Sequence, residues 1–246
     1  MKKNHKVAAR QTRRAQRRIH IAETTPPEQE ITKAGKKPSS VIIKPLTDAQ
    51  ARYDDAIRSK KLIYGYGPAG TGKTYLATCR AADALRDGLI ENIILVRPAV
   101  EAAGEKLGFL PGEMKDKYDP YLEPFYQALE ERLGTGHLEY LLKRKIIDPR
   151  PMGFMRGASF KNTWLLADEM QNATKAQMKM LLTRIGENSK FIISGDPDQS
   201  DIGASSGLTD AIERTRGHKD ISAVGFDVED IVRSGLCMDI VKMYSN

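Results

Sequence analysis

Residues Gly67-Pro68-Ala69-Gly70-Thr71-Gly72-Lys73-Thr74 match the pattern G-x-x-x-x-G-K-[ST] in full. Each residue type has a chemical reason to be there. Glycines let successive backbone N–H groups turn inward around phosphate oxygens, where a Cβ would obstruct the approach. Lys73 supplies a point charge to the β- and γ-phosphates, and the Thr74 hydroxyl is a magnesium ligand. The N-terminus of a following helix favours the anion. The chemistry expected of this loop is binding of a nucleoside triphosphate with Mg2+.

Two further stretches supply what hydrolysis needs. In "TWLLADEM" a mostly apolar run ends in Asp168 and Glu169. A buried strand would present these acids at its carboxyl end, the edge at which a phosphate loop lies. Asp168 then holds magnesium through water, and Glu169 is suited to polarise an attacking water as general base. In "FIISGDPDQSD" a second apolar strand ends in Ser194, Asp196, Asp198 and Gln199. Gln199 is the expected sensor of the γ-phosphate, against the alternative of an ordinary Gly-Asp-Pro-Asp turn.

Alternating elements must carry these groups. Thr47 caps a short helix in "TDAQARYDDAIRSK", "LIYGY" is a strand, and residues 73–86 form a helix stopped at Gly88. Strands follow at 93–96, in "TWLLAD", "KFIIS" and "ISAVGF". Helices are expected from about Pro120 to Gly134, in "TKAQMKMLLTRIG" with Met178, Leu181, Leu182 and Ile185 on one face, in "LTDAIERTR", and in "DIVRSGLCMDIVKMY". This alternation predicts an α/β fold, a mainly parallel sheet with helices on both faces. The expected division is a basic, disordered arm over 1–45 and a single domain over 46–246 with an insertion at about 101–150.

Charge separates the two parts. Residues 1–45 hold twelve Lys or Arg against three acids, whereas the other 201 residues hold 27 basic and 29 acidic side chains. Such an arm suits nonspecific contact with nucleic-acid phosphates, or simply aids solubility. In the insertion, Lys106, Lys115 and Lys117 stand among Phe109, Tyr118 and Tyr121, a mixture that either binds single strands or packs into a core. Arg156, in "FMRGASF", is a candidate contact for nucleic acid or a neighbouring subunit. Cys79 and Cys237 match no zinc or redox spacing. No run has transmembrane length and the N-terminus lacks a secretory hydrophobic core. The expectation is a cytoplasmic protein without a membrane partner, although the Arg-rich start also has the character of an organellar transit peptide.

The segments "GPAGTGKTYLA", "LLADEMQNATKAQMKMLLTRIG", "GDPDQSD" and "VRPAVEAAGEKLGFLPGEMKDKYDPYLEPFYQAL" together resemble the PhoH-like family of bacteria and their phages, from about Leu46 onward. The resemblance implies an ATPase with one RecA-like P-loop NTPase domain, close in motif layout to superfamily 1 helicases and connected with RNA metabolism. Some members are fused to a PIN-type RNase domain, for which 45 polar residues leave no room. It implies that Gln50 recognises adenine, that Arg97 and Pro98 lie on a segment facing nucleic acid, that Gln199 belongs to the γ-phosphate sensor, and that Arg233 is an arginine finger. It also implies that the sensor strand lies between the phosphate-loop strand and the Asp168 strand. The family more often follows that arginine with His-Pro, where this chain has Ser234-Gly235.

A single lobe must find its arginine in its own chain or in a neighbour's, and the second option predicts a cyclic homo-oligomer, a ring of about six subunits. Three functions compete: an ATP-driven motor on single-stranded RNA or DNA, a nucleotide-gated RNA-binding or assembly protein with little turnover, and a phosphoryl transferase.

Overall fold

Alternate residues of the central strands are apolar on opposite faces, and both faces are covered. In the computed structural model, which describes residues 35–98 and 118–233 together with 235, 236, 240 and 243, six strands form one sheet. They are β1 (Leu62–Tyr66), β2 (Asn92–Val96), β3 (Ile147–Pro149), β4 (Thr163–Ala167), β5 (Lys190–Gly195) and β6 (Ile221–Gly225). All five pairings are parallel and the order is β3-β2-β4-β5-β1-β6. Strand β5 therefore separates the phosphate-loop strand β1 from the Asp168 strand β4.

Ile63, Ile93, Leu95, Leu166 and Ile192 point to one side. There they meet α1 (Asp48–Ser59), α2 (Lys73–Arg86), α3 (Glu123–Leu133) and α4 (Thr135–Lys143) through Tyr53, Ile57, Leu76, Leu85, Phe125, Leu129 and Leu141. Their strand neighbours Tyr64, Ile94, Leu165, Phe191 and Ile193 point to the other side, against α5 (Lys175–Leu182) and α6 (Leu208–Thr215). This period-two division is the pattern of a parallel sheet buried on both faces. The fold is the α/β, RecA-like P-loop fold.

Several local expectations are modified. Helix α5 starts at a full capping box of Thr174 and Gln177 and ends at Leu182. Met178 and Leu181 are buried, but Ile185 lies past the helix and is exposed. Its backbone instead forms a bridge with Phe160. Residues 231–233 are not helical, and most of the expected C-terminal helix, Cys237 included, lies outside the described residues. So do residues 1–34 of the arm and Lys106, Phe109, Lys115 and Lys117 of the insertion. The end of the arm is bound to the body of the protein. Ser39 N–H donates to Glu131 O, Lys36 exchanges backbone and side-chain bonds with Thr135, and Arg132 donates to Val41 O. Tyr118 is a core residue, 5% exposed, its hydroxyl bonded to both backbone groups of Arg97.

Helix α1 is tied to α2 by Asp54, whose carboxylate accepts from Arg80 Nε and Nη2 and from Arg58 Nε. It is tied to the sheet by Lys190, whose ammonium lies 4.6 Å from the Trp164 ring centre and donates to the Ile57 carbonyl in the last turn of α1. Burial lowers the pKa of Lys190 to about 8. Between that value and the ordinary lysine value of about 10.4 the unfolded chain binds more protons here than the folded one, so this group's contribution to stability improves as pH rises. Comparing melting temperatures of the wild type and Lys190→Met at pH 7.5 and pH 9.5 should show the difference moving in favour of the wild type at the higher pH. An unchanged difference would mean that Lys190 titrates normally.

Candidate nucleotide site

The turn after β1 has the backbone that its glycines require. Gly67 (φ 127°) and Gly70 (φ 83°) occupy conformations that L side chains rarely adopt. A Cβ on Gly67 would collide with the Phe226 carbonyl, and one on Gly70 would lie 2.6 Å from Arg233 Nε. Gly67 N–H also donates to Gly195 O, which ties the loop to the end of β5.

Lys73 opens α2 and folds its ammonium over the loop. It donates to Gly67 O at 2.7 Å, Pro68 O at 2.6 Å and Thr71 Oγ1 at 3.0 Å. The hydroxyl of Thr71, which is fully buried, donates in turn to Pro68 O. Burial lowers the Lys73 pKa, while Asp168, Asp196 and Glu169 oppose that shift.

Across the cleft, Asp168 follows β4 and is buried, and its Oδ2 accepts from Thr74 Oγ1 at 3.0 Å. Burial raises its pKa, and the neighbouring Glu169 adds to the effect. Glu169 has left-handed backbone (φ 55°, ψ 34°). Its Oε1 accepts from Arg97 Nη2 at 2.8 Å and its Oε2 from Gln171 Nε2 at 2.6 Å. Gln199 follows β5, with its amide N–H on Asp196 Oδ2 at 2.8 Å.

Together, Ala69, Gly70, Gly72, Lys73, Thr74, Asp168, Glu169, Gln199, Arg97 and Arg233 border one cleft of about 840 Å³ at the carboxyl edge of the sheet. The acids therefore face the loop, as the sequence motifs require of each other. Arg97 is in this cleft, bonded to Glu169 and, through Nη1, to Tyr121 O. Arg156 is exposed at the end of a 3-10 turn and does not border the cleft. Gln50 is buried behind the loop: its Oε1 accepts from Leu46 N–H and its Nε2 donates to Thr71 O. It borders a second, smaller cavity of about 420 Å³ beside the loop, with Ile43, Leu46, Tyr75 and Val232. In this arrangement Gln50 braces the phosphate loop.

The donor set fits a magnesium-bound triphosphate. The glycine-shaped turn and Lys73 suit the phosphates. Among the described residues no group of three or more His, Cys, Asp or Glu could hold a metal ion. The Thr74–Asp168 pair is instead the sparse oxygen set that suits Mg2+, which keeps waters and phosphate oxygens as its other ligands.

Sequence reasoning did not single out Gln171, which is 1% exposed and bonded to Glu169. The available signal was its position, an amide two residues beyond the second acid at the end of a buried strand.

Fold and site define a protein of the RecA-like P-loop class. The family model described as PhoH-like protein matches residues 42–245, and the chain belongs to the PhoH-like family. It is 49% identical over 219 residues to the PhoH-like protein of Bacillus subtilis (strain 168), covering 88% of this chain and 67% of that protein. It is 44% identical over 202 residues to Protein PhoH of Escherichia coli (strain K12), covering 80% and 57% respectively. With the PhoH-like protein of Mycobacterium tuberculosis (strain ATCC 25618 / H37Rv) it shares 44% identity over 205 residues, covering 82% and 58%. The matched region is thus between about half and two-thirds of these relatives' length. No helix among the described residues is long and apolar enough to cross a membrane.

Proposed function

We propose that the chain is a magnesium-dependent ATP hydrolase whose turnover is coupled to single-stranded RNA or DNA. The observation that carries this reading is the Thr74–Asp168 contact of 3.0 Å, with Glu169 the next residue along the edge of the same cleft. The loop N–H groups and Lys73 bind and orient the triphosphate. Thr74 and Asp168 hold magnesium, which when bound neutralises charge developing on the β- and γ-phosphates. Glu169 takes a proton from the water that attacks the γ-phosphorus as the bond to the bridging oxygen breaks and ADP leaves, and Gln199 responds to the presence of that phosphate. A phosphoryl transferase would have no use for a base directed at water.

One observation favours slow turnover by the protein alone. Glu169 Oε1 is already engaged by the Arg97 guanidinium, in the place a water would take. Arg97 follows β2 and, with Pro98, belongs to the segment expected to face nucleic acid, so a competing backbone phosphate would release Glu169. We therefore expect slow phosphate release from ATP alone and faster release with single-stranded RNA or DNA, measured with the purified chain. Stimulation by neither strand would favour a nucleotide-gated binding protein.

Arg233 lies against Gly70 of its own chain, which supports an arginine finger acting within one subunit. Supply by a neighbour in a ring of about six subunits is the alternative. Mixing Arg233→Ala with Lys73→Ala subunits separates the two. Action within one subunit predicts no recovery in verified mixed assemblies, because each variant lacks a required group in every site. Recovered activity would assign the finger to the neighbour.

A further inference from the structure

We propose that Gln171 is a positioning residue for hydrolysis, fixing Glu169 and tying it to the end of β5 so that base and sensor are held as one hydrogen-bonded unit. The proposal rests on the hydrolytic reading above.

The unit can be followed atom by atom. Gln199 Nε2 donates to Asp196 Oδ2 at 2.8 Å, Asp196 N–H donates to Gln171 Oε1 at 3.0 Å, and Gln171 Nε2 donates to Glu169 Oε2 at 2.6 Å. Gln171 itself is anchored by Ser200 Oγ, which donates to its backbone carbonyl at 3.0 Å. These bonds connect the ends of β4 and β5, two adjacent strands of the sheet.

The chemistry requires an amide at this point. One end must accept from a backbone N–H and the other must donate to a carboxylate. A glutamate can do only the first, and an apolar residue neither. Burying an amide is unfavourable unless its groups are bonded, so a side chain present only to fill space would be apolar. The neighbouring backbone is shaped to admit it. A Cβ on Gly195 would lie 2.7 Å from Gln171 Oε1 and 3.0 Å from Gln171 N.

Glu169 needs such a restraint. Its left-handed backbone is unfavourable for a residue with a side chain, by about 1–2 kcal/mol, and its side chain is only partly buried at 37% exposure. Packing alone does not hold it. Gln171 fixes one oxygen and Arg97 the other. Gln171 is itself buried and comes from the same turn as Glu169, so its bond persists when Arg97 exchanges partners.

The test uses the full chain and measures kcat, KM and the affinity for a fluorescent ATP analogue in Gln171→Ala and Gln171→Glu. Both variants should lose about 10- to 100-fold in kcat, with KM and affinity within about threefold of wild type. Gln171→Glu retains the acceptor for Asp196 N–H but sets a like charge against Glu169 where the wild type has a donor. It should therefore be at least as slow as Gln171→Ala. Wild-type kcat in Gln171→Glu would overturn the proposal and leave Gln171 a structural link to Asp196. A parallel loss of kcat and nucleotide affinity in both variants would overturn it as well. If the wild type itself releases no phosphate under any condition, the hydrolytic reading fails, and this inference with it.

Discussion

Glu169→Gln lowers phosphate release from Mg-ATP by about 10²- to 10⁴-fold, the usual contribution of a general base, and leaves ATP affinity within about threefold. Glu169 borders the cleft without contributing to the phosphate loop, so binding and hydrolysis separate at this residue. The neutral amide still accepts one hydrogen bond, from Arg97 or Gln171, but has no basic oxygen pair for a proton of water. Single-turnover phosphate release together with equilibrium binding reads both quantities. A variant that hydrolyses ATP at the wild-type rate would remove Glu169 from the mechanism and direct attention to another group at the cleft.

Lys73→Ala has the opposite signature. Its ammonium is the cationic group of the phosphate loop, held by two loop carbonyls and the Thr71 hydroxyl. A phosphate oxygen offers the same donor a charge-assisted bond in place of a neutral one. Losing that bond together with the buried charge is worth about 3 kcal/mol, or about a hundredfold or more in ATP affinity. Hydrolysis falls with it. The fold should change little, because α2 packs through Leu76, Ala81 and Leu85 rather than through Lys73. Isothermal titration beside a melting curve checks both expectations. ATP affinity unchanged in Lys73→Ala would mean that the nucleotide binds elsewhere.

The parts of this site legible in the sequence were those with a fixed local spacing. The eight-residue loop is one turn between β1 and α2, and the adjacent acids follow one strand, so linear order and spatial order coincide. The strands were readable because both faces of the sheet are buried, which makes "IILV" and "FII" continuous apolar runs. What was not legible depends on contacts distant in sequence. Gln50 meets Thr71 O, 21 residues away, so its contact with the phosphate loop could not be read from local spacing. Tyr118 could have been a stacking platform or a core residue, and only the β2 edge and the Arg97 backbone decide for the core. Residues 36–41 carry no periodicity because single hydrogen bonds, not an apolar face, hold them to α3 and α4. Gln171 escaped notice for a related reason. A buried amide is identified by its partners, and one of them, Asp196, lies at the end of a different strand.

The direct measurement is release of free phosphate from γ-labelled ATP by the purified chain, with Mg2+ and with EDTA, in the presence of single-stranded RNA. Loop and paired acids acting on one magnesium-bound triphosphate predict many turnovers per chain, abolished by EDTA and by Lys73→Ala. Bound ATP that remains intact, or label that appears on an acceptor other than water, would contradict it.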